Sequence, residues 1–331
     1  MGKITRSILC ILFASLLVLG GCSEKTDREK ELENEIAQLE KELEAKRKAK
    51  EIYLKEKVID IAVRVIDPTT KKEIKIIKPE ELGYQKDIEK YKEEIEKWAR
   101  ILALGTEKQQ GYDQRMIPDK IGKNGEIIKG KPRQVLEEEE LVEKVMSASE
   151  RGGTVELPLY VTESGYNPDE ATQLEEVLLA SFTTYFNSGV VGRNKNIELS
   201  AEAINNVIIG KNDIFSFNTT VGPSDEAHGY QPAQEAVNGK LVMGIGGGIC
   251  QTSSTLFNAV DKLGVKYVEK HHHSVSVGYV PKGRDATVSY GGVDFRFENT
   301  VGVPLLIKTK MTNGTLTVEV RTSKENEKLI D

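Results

Sequence analysis

The sequence predicts an α+β fold: a C-terminal domain with a cysteine-bearing helix against a mainly antiparallel sheet, preceded by a small α+β module and an N-terminal helical stalk. Three patterns predict it. Residues 24–57 are almost all charged or helix-forming. Residues 58–82 hold two β-branched runs around a polar turn, and the last third alternates short β-branched runs with Gly, Pro and Asn turns. Helices and antiparallel strands in separate blocks are typical of α+β proteins.

The charge balance excludes nucleic acid as a partner. The 331 residues include 46 Lys and Arg against 52 Asp and Glu, which gives a formal net charge of −6. Binding to phosphates requires a basic surface, and none is indicated here. A chain of this length accommodates two domains and a tether.

The first residues predict a secretion signal that ends in a lipidated cysteine. Lys3 and Arg6 precede an apolar run over residues 8–18, which is short for a membrane span but fits a signal-peptide core. The run ends in "LGGC", which resembles the lipobox of bacterial lipoproteins. We therefore predict a signal peptide over residues 1–21 and a lipid anchor on Cys22, on the extracytoplasmic face of the cell membrane. The alternative is an ordinary secretory signal in which Cys22 is incidental.

Residues 22–57 predict a charged helical stalk. Four apolar residues keep the 4-3-4 spacing of a short coiled coil: Leu32, Ile36, Leu39 and Leu43. The spacing fails at Lys46 and Lys50, so a spacer between membrane and domains is favoured over a stable oligomer.

Residues 58–167 predict a small α+β module. The runs "VIDIAVRVID" and "EIKIIKPEEL" flank "PTTKK" and are typical of a hairpin. A helix with one apolar face follows around residues 88–102, and a second helix is expected near residues 135–149. A strand in "TVELPLYVTES" closes the module, and "GYNPDE" marks a boundary near Pro168.

Residues 168–323 predict the C-terminal domain, and residues 324–331 a tail. We expect a helix over residues 170–180, a strand in "SFTTYF", a helix in "NIELSAEAINNVI" and a strand in "IFSFN". The cysteine-bearing helix is expected from about Gln251 to Leu263. Later β-branched runs predict strands, the first of which, "VKYVEKHHHSVSVGYV", contains three consecutive histidines.

Cys250 is the cysteine of greatest functional interest. Of the three cysteines, Cys10 leaves with the signal and Cys22 is lipidated, so Cys250 has no intramolecular partner. Three glycines precede it, Gly246, Gly247 and Gly248, and Thr252 or Ser253 is expected to cap the helix. A helix N-terminus stabilises a thiolate and offers N–H groups to an oxyanion.

A thiolate nucleophile requires a base, and the histidines at 271–273 are the candidates. On a strand, His271 and His273 would share one face and His272 would point to the other. Asp285 or Asp294 could orient the imidazole. Cysteine on a helix followed by histidine on a strand matches the element order of papain-like and transglutaminase-like enzymes, which is an analogy only.

Two other interpretations of these residues remain open. Paired histidines with Cys250 could bind zinc, but neither Cys-x-x-Cys nor His-Glu-x-x-His is present. We expect neither a metal nor a cofactor. Alternatively, Cys250 is a buried, unreactive residue and the histidines are polar residues at a sheet edge.

Several blocks of the C-terminal domain resemble one family. "FSFNTTVGP", "GYQPAQEAVNGKLVMGIGGGICQTSSTLFNAV" and "HHHSVSVGYVPKGRDATVSYGGVDFRFEN" occur in the order found in the VanW family, over about Phe182 to Val320. These are bacterial envelope proteins named after a member encoded in glycopeptide-resistance clusters. The preceding module, ending in "VELPLYV", is similar to a peptidoglycan-binding domain that often precedes VanW domains.

The resemblance assigns site residues by position. The family's glycine-cysteine-glutamine block falls on Gly246, Gly247, Gly248, Cys250 and Gln251. Its histidine-serine pair falls on His273 and Ser274, and its aspartate on Asp285.

Together these observations predict a membrane-anchored envelope lipoprotein that acts on or binds peptidoglycan. As an enzyme it would be a cysteine hydrolase or acyltransferase on stem peptides, with Cys250 as nucleophile, His273 as base and Asp285 orienting the imidazole. The alternative is a non-catalytic peptidoglycan-binding or cell-wall maintenance module in which Cys250 is structural. The expected partners are peptidoglycan or its stem peptides, and the membrane through the lipid anchor.

Overall fold

A computed structural model of the chain describes residues 27–58, 61–237 and 240–330. The predicted signal peptide and the predicted lipidation site Cys22 lie outside the described residues. Within these ranges, no helix combines the length and the apolar character that crossing a bilayer requires.

The described residues contain helices on both sides of the predicted domain boundary. The α-helices are α1 Asp27–Val58, α2 Ile88–Leu104, α3 Glu138–Ala148, α4 Val191–Ile204, α5 Phe217–Val221, α6 Ile249–Val260 and α7 Lys324–Glu327. Short 3-10 helices are Pro168–Glu175, Glu226–His228 and Asp261–Leu263.

The described strands have at most five residues before residue 177, and the longest of them come after it. In the first part they are β1 Val63–Ile66, β2 Glu73–Ile77, β3 Gly105–Thr106, β4 Gln109–Gln110, β5 Lys120–Ile121, β6 Ile127–Ile128, β7 Arg133–Leu136, β8 Gly153–Glu156 and β9 Leu159–Thr162. In the second they are β10 Val177–Tyr185, β11 Val207–Ile209, β12 Ile214–Ser216, β13 Pro232–Val237, β14 Lys240–Ile245, β15 Lys266–Glu269, β16 Arg296–Glu298, β17 Leu305–Thr312 and β18 Thr315–Thr322.

The N-terminal helix is confirmed as α1. Its predicted apolar seam lies on an exposed surface: Leu32, Ile36, Leu39 and Leu43 keep 50–58% of their surface accessible. Thirty-two residues of helix extend for about 48 Å. The function of this helix as a stalk stays a prediction.

The first folded region packs α2 and α3 against a three-stranded sheet. The predicted hairpin is confirmed, because β1 pairs antiparallel with β2, and β8 adds to the other edge of β1 in parallel. Val63 and Val65 alternate inward from β1 and meet Tyr91 and Ile95 of α2 in one core.

The second region contains a six-stranded sheet in the order β10-β18-β17-β11-β5-β6, with every pairing antiparallel. The helix α6 packs against β10, β18 and α4. Phe257 of α6 packs against Phe295, which in turn packs against Phe297, in the largest core of the described residues. A cysteine-bearing helix on a mainly antiparallel sheet was the predicted α+β arrangement, and the structure confirms that fold class.

The two regions share this sheet. The hairpin β5–β6 comes from the segment that we assigned to the first module, yet Lys120 pairs with Val207 of β11. The division into domains at residues 58–167 and 168–323 therefore stays a prediction. The β5–β6 hairpin belongs to the first range but pairs with a strand of the second.

Two local predictions differ from the structure. Residues 168–175 form a 3-10 helix and the chain is already a strand at Val177, whereas we expected a helix over residues 170–180. The residues from Val177 alternate on an edge strand of the large sheet, and pairing with β18 overrides their helix propensity. The strand expected over residues 265–280 ends at Glu269, before the histidines.

Deletion of residues 24–57 tests the separation of α1 from the folded body. Because its apolar residues are exposed, we expect the melting temperature of the remaining chain to change by less than about 2 °C. Near-ultraviolet circular dichroism should be used, since the loss of the helix itself alters the far-ultraviolet signal. A drop of about 5 °C or more would show that α1 packs on the body.

Candidate active site

The glycine turn, residues 246–248, leads into α6 and leaves no room for side chains at its own positions. A Cβ on Gly247 would lie 2.5 Å from the Gln234 carbonyl oxygen, and Gly248 has a φ of +120°. The helix begins at Ile249, with Gly248 as its N-cap and no capping side chain. Cys250 is therefore the second helical residue. The predicted caps are wrong, because Thr252 and Ser253 lie inside the helix and are fully buried.

The buried polar side chains of α6 fix the segment that carries Asp285. The Ser253 hydroxyl donates to the Ala286 carbonyl at 2.6 Å, and the Ala286 N–H donates to the Ser254 hydroxyl at 2.9 Å. The Asn258 amide donates to the Arg284 carbonyl at 2.7 Å. The residues on either side of Asp285, Arg284 and Ala286, are thus held against the helix that carries the cysteine.

The histidine segment is fastened to the aspartate segment. The Thr287 N–H donates to the His271 carbonyl at 2.9 Å. The Asp285 carboxylate accepts from the His273 backbone N–H at 2.7 Å and lies 2.8 Å from the His273 Nδ1. The other Asp285 oxygen lies 3.0 Å from the His272 Nδ1. The expected alternation of strand faces is wrong here, because these residues are not in a strand and both histidines face Asp285.

The Cys250 thiol completes this chain of contacts. Its Sγ lies 3.4 Å from the Val288 carbonyl oxygen and 3.7 Å from the Thr287 hydroxyl, and the neighbouring His273 imidazole lowers its pKa. Because the His273 Nδ1 is engaged by Asp285, the Nε2 is the ring nitrogen left for the thiol. The structure therefore brings Cys250, His273 and Asp285 together in that order.

The pKa shifts of Cys250, His273 and Asp285 favour a thiolate on Cys250 and an imidazolium on His273. Burial raises the pKa of the Cys250 thiol, but the neighbouring His273 imidazole and the hydrogen bond with the Val288 backbone outweigh it, so the pKa falls below its ordinary value. The neighbouring Cys250 raises the pKa of His273; burial opposes this, and Asp285 supports it. Burial also raises the pKa of Asp285, but the His273 backbone and both imidazoles lower it to about 2. The carboxylate is thus ionised throughout the pH range in which the imidazole gains or loses its proton.

Exposure separates the three histidines. The His273 side chain keeps 6% of its surface accessible, whereas His271 and His272 each keep 45%. The His271 ring contacts the Glu269 carboxylate at 3.2 Å, and the His272 Nε2 lies 2.9 Å from the Lys270 ammonium. Only His273 lies between the thiol and a carboxylate.

Asp294, the other candidate for orienting the imidazole, has a different position. It is buried, and it accepts from the Ser216 hydroxyl at 2.6 Å, the Asn218 backbone N–H at 2.9 Å and the Arg115 guanidinium at 3.0 Å. Arg115 comes from the first region of the chain. Asp294 therefore joins the two regions, and of the two candidate aspartates Asp285 is the one that contacts His273.

Cys250 lies half-buried on the wall of a cleft of about 860 Å³. The glycines 246–248, Gln251 and His273 line the same cleft, but Ser274 is exposed and outside it. In the described part of the chain, no three His, Cys, Asp or Glu side chains are grouped to hold a metal ion.

Two cleft residues were missed from the sequence. Arg193, near the start of α4, and Tyr279 face each other across the cleft, with the guanidinium 5.8 Å from the ring centre. Burial, followed by the nearby Cys250, raises the pKa of Tyr279, so its hydroxyl stays neutral. Tyr279 lies within one of the family-like blocks, but nothing in that block assigns it a role. Arg193 lies outside the quoted blocks and precedes the cysteine by more than fifty residues, so the sequence contained no local signal for it.

Comparison with known proteins locates this site in a recognised domain. Residues 192–321 match the family described as VanW like protein. The chain is 50% identical over 145 residues to the uncharacterized protein YoaR of Bacillus subtilis (strain 168), a stretch that covers 44% of this chain and 48% of YoaR. It is 32% identical over 109 residues to the vancomycin B-type resistance protein VanW of Enterococcus faecalis (strain ATCC 700802 / V583), covering 31% of this chain and 40% of that protein.

The chain thus spans less than half of each of these relatives. No solved structure matches it. The matched residues include the glycine turn, Cys250, His273, Asp285 and Arg193. The chain thus contains a VanW-like domain over residues 192–321.

Proposed function

We propose that the protein is a cysteine-dependent acyl-transfer enzyme of the cell envelope, a hydrolase or an acyltransferase that acts on peptidoglycan stem peptides. One observation carries the proposal: Cys250 and His273 line the same open cleft, and Asp285 contacts the His273 Nδ1 at 2.8 Å. A nucleophile, a base and an orienting carboxylate in this order are the components of nucleophilic acyl transfer.

The chemistry follows from the shifted pKa values. The Cys250 thiolate attacks the carbonyl carbon of an amide, and the carbonyl electrons move onto the oxygen. The His273 imidazolium then gives its proton to the departing amine as the C–N bond breaks, which leaves a thioester. Water or an acceptor amine attacks the thioester while His273 takes up the proton, and the thiolate is released.

The beginning of α6 supports the oxyanion step. In the described part of the chain, the backbone N–H groups of Gly248 and Cys250 have no hydrogen-bond acceptor. Because the helix is uncapped, these donors lie beside the attacking sulfur, and the partial positive charge of the helix end adds to their effect. They are the groups that would bind the oxygen of the tetrahedral intermediate.

The substrate class rests on the family and on location. A cleft of this volume accommodates a peptide-sized ligand. An anchor on Cys22 would hold the site at the outer face of the membrane, where peptidoglycan is accessible. A packed, unreactive Cys250 would instead favour the non-catalytic binding module, and thiol reactivity distinguishes the two.

The first prediction from this site concerns the Cys250–His273 pair. Iodoacetamide should label Cys250 at pH 7 faster than a free thiol of pKa about 8.5, because the imidazolium stabilises the thiolate. His273→Ala removes that partner, and the burial that remains raises the pKa of Cys250. Labelling at pH 7 should therefore slow by about tenfold or more. Site-resolved mass spectrometry gives the rate for each cysteine.

Unfolding is the confounding effect in that experiment, because exposure of the thiol also changes labelling. Each variant should therefore melt cooperatively before its rate is compared. Wild-type and His273→Ala proteins that label at equal rates would contradict the pair, and a Cys250 that resists labelling in both would identify a structural cysteine.

The second prediction concerns Asp285. Asp285→Asn keeps the size of the side chain but removes the charge, so the pKa of His273 should fall and that of Cys250 should rise. The pH at which alkylation reaches half its maximal rate should accordingly move upwards. His272→Ala is the matched control: its ring contacts the same carboxylate but is half-exposed, and the shift should be small. A larger effect from His272→Ala than from Asp285→Asn would refute the assignment.

A third prediction tests location. The wild-type protein should sediment with membranes and dissolve in detergent, whereas Cys22→Ala should not be acylated and should leave the membrane fraction. Cys10→Ala, inside the signal sequence, is the control and should behave like wild type. Cys22→Ala protein that stays wholly in the membrane fraction would rule out the lipid anchor.

A further inference from the structure

Arg193 is a cation on the cleft wall that has no carboxylate partner. In the described part of the chain, no Asp or Glu oxygen lies within 4.0 Å of its guanidinium, although most arginines of the second region are paired in this way. Its hydrogen bond is with a neutral amide, the Gln251 Oε1, at 2.8 Å. Burial lowers the pKa of Arg193, which is opposed by Tyr279 and Cys250, and an arginine remains protonated under such conditions.

The position of Arg193 follows from the face of α4 that packs on the glycine turn. Asn196, Ile197 and Ser200 lie three, four and seven residues further along the helix, so they share its face, and all are fully buried. The Asn196 amide donates to the Gly247 carbonyl at 3.0 Å, and Ser200 is hydrogen-bonded with Thr252 of α6 at 2.7 Å. These contacts fix α4 against the beginning of the cysteine helix.

The stem of Arg193 lies directly over the glycine before the cysteine. A Cβ on Gly248 would approach the Arg193 Cγ to 3.2 Å and its carbonyl oxygen to 3.1 Å. A side chain at residue 248 would therefore displace the arginine. The glycine that allows the sharp turn also allows the guanidinium to lie beside Cys250.

Gln251 acts as a positioning residue for this guanidinium. Its side-chain amide is buried, and its NH₂ group donates to the Thr184 hydroxyl at 3.0 Å and to the Tyr185 carbonyl at 3.1 Å. The amide oxygen is thereby fixed towards Arg193. One Arg193 nitrogen is held at a defined place, while the remaining donors of the planar fork are available to the cleft.

We propose that Arg193 binds a carboxylate of the substrate, so that the preferred substrate is a peptide with a free carboxylate next to the carbonyl that Cys250 attacks. A planar guanidinium with free donors matches a carboxylate in geometry and charge. The inference rests on the proposed acyl-transfer function and adds a charge requirement to it. Glu235, the acidic residue of the cleft wall, lies on β13 and forms no ion pair with Arg193 in the described residues.

The first experiment compares two alkylating agents that differ in charge. Iodoacetate and iodoacetamide should be reacted with the full-length protein, and each rate at Cys250 divided by the rate with glutathione. A carboxylate-binding guanidinium should favour iodoacetate by about tenfold, since a charge-assisted hydrogen bond of ordinary strength gives at least that factor. Arg193→Gln should abolish the preference, and Arg193→Lys should keep part of it.

Arg151→Gln is the matched control, because it removes the same charge from an exposed position outside the cleft. It should keep the full preference for iodoacetate. Equal preferences in wild type and Arg193→Gln would overturn the proposal, as would a preference that Arg151→Gln lowers equally.

The second experiment needs no reactive thiol. Calorimetry with the Cys250→Ala protein should compare diacetyl-Lys-D-Ala-D-Ala, a stem-peptide mimic, with its C-terminal amide. The free carboxylate should bind about tenfold more tightly, and Arg193→Gln in the same background should remove the difference. Equal binding of the two peptides by the Cys250→Ala protein would overturn the proposal. If neither peptide binds, the alkylation ratio decides.

The two experiments separate this inference from the proposed function. If Cys250 reacts rapidly but equally with both reagents, its role as a nucleophile is supported and the carboxylate site is refuted. If Cys250 resists both reagents but peptide binding depends on Arg193 and on the free carboxylate, the carboxylate site is supported. The proposed enzymatic function is then refuted.

Discussion

The burial of the polar side chains of α6 is the constraint on which the site depends. Gln251, Thr252, Ser253, Ser254, Thr255 and Asn258 are polar, and each is almost fully inaccessible to water. Buried polar groups must be hydrogen-bonded, and those of α6 have found partners on three neighbouring elements. Gln251 bonds to β10 and α4, Thr252 to α4, and the serines to the segment around Asp285. The helix thus fixes every other part of the site relative to the cysteine.

This constraint explains why the catalytic candidates need no regular secondary structure of their own. His273 and Asp285 lie on irregular segments, which would ordinarily be mobile. Here the aspartate segment is held by Ser253 and Ser254, and the histidine segment is held by the aspartate segment through Thr287. The helix α6 thus positions the Asp285 carboxylate, and the carboxylate positions the His273 imidazole. The imidazole in turn lies beside the Cys250 thiol of the same helix.

The sequence predicted the elements of this arrangement better than their contacts. The glycine turn before a cysteine-bearing helix and the terminal antiparallel strands have strong local patterns, and they are where the sequence places them. Thr252 and Ser253 have the composition of N-caps, but tertiary partners on α4 and at Ala286 bind them inside the helix. The histidine run has strand propensity, but double hydrogen bonding to Asp285 determines its conformation instead. Arg193 could not have been found, because only the packing of α4 on Gly248 brings it to the cysteine.

The charges of the site are balanced when Arg193 is included. A thiolate and an imidazolium cancel, which leaves the Asp285 carboxylate on one side of the pair and the Arg193 guanidinium on the other. Removing a charge from water is costly unless an opposite charge or hydrogen bonds compensate for it. Asp285 is compensated by three N–H groups from two histidines, whereas Arg193 has a neutral amide and an aromatic ring. The acidic side of the site is therefore satisfied within the protein, and the basic side is the one that has capacity left for a ligand.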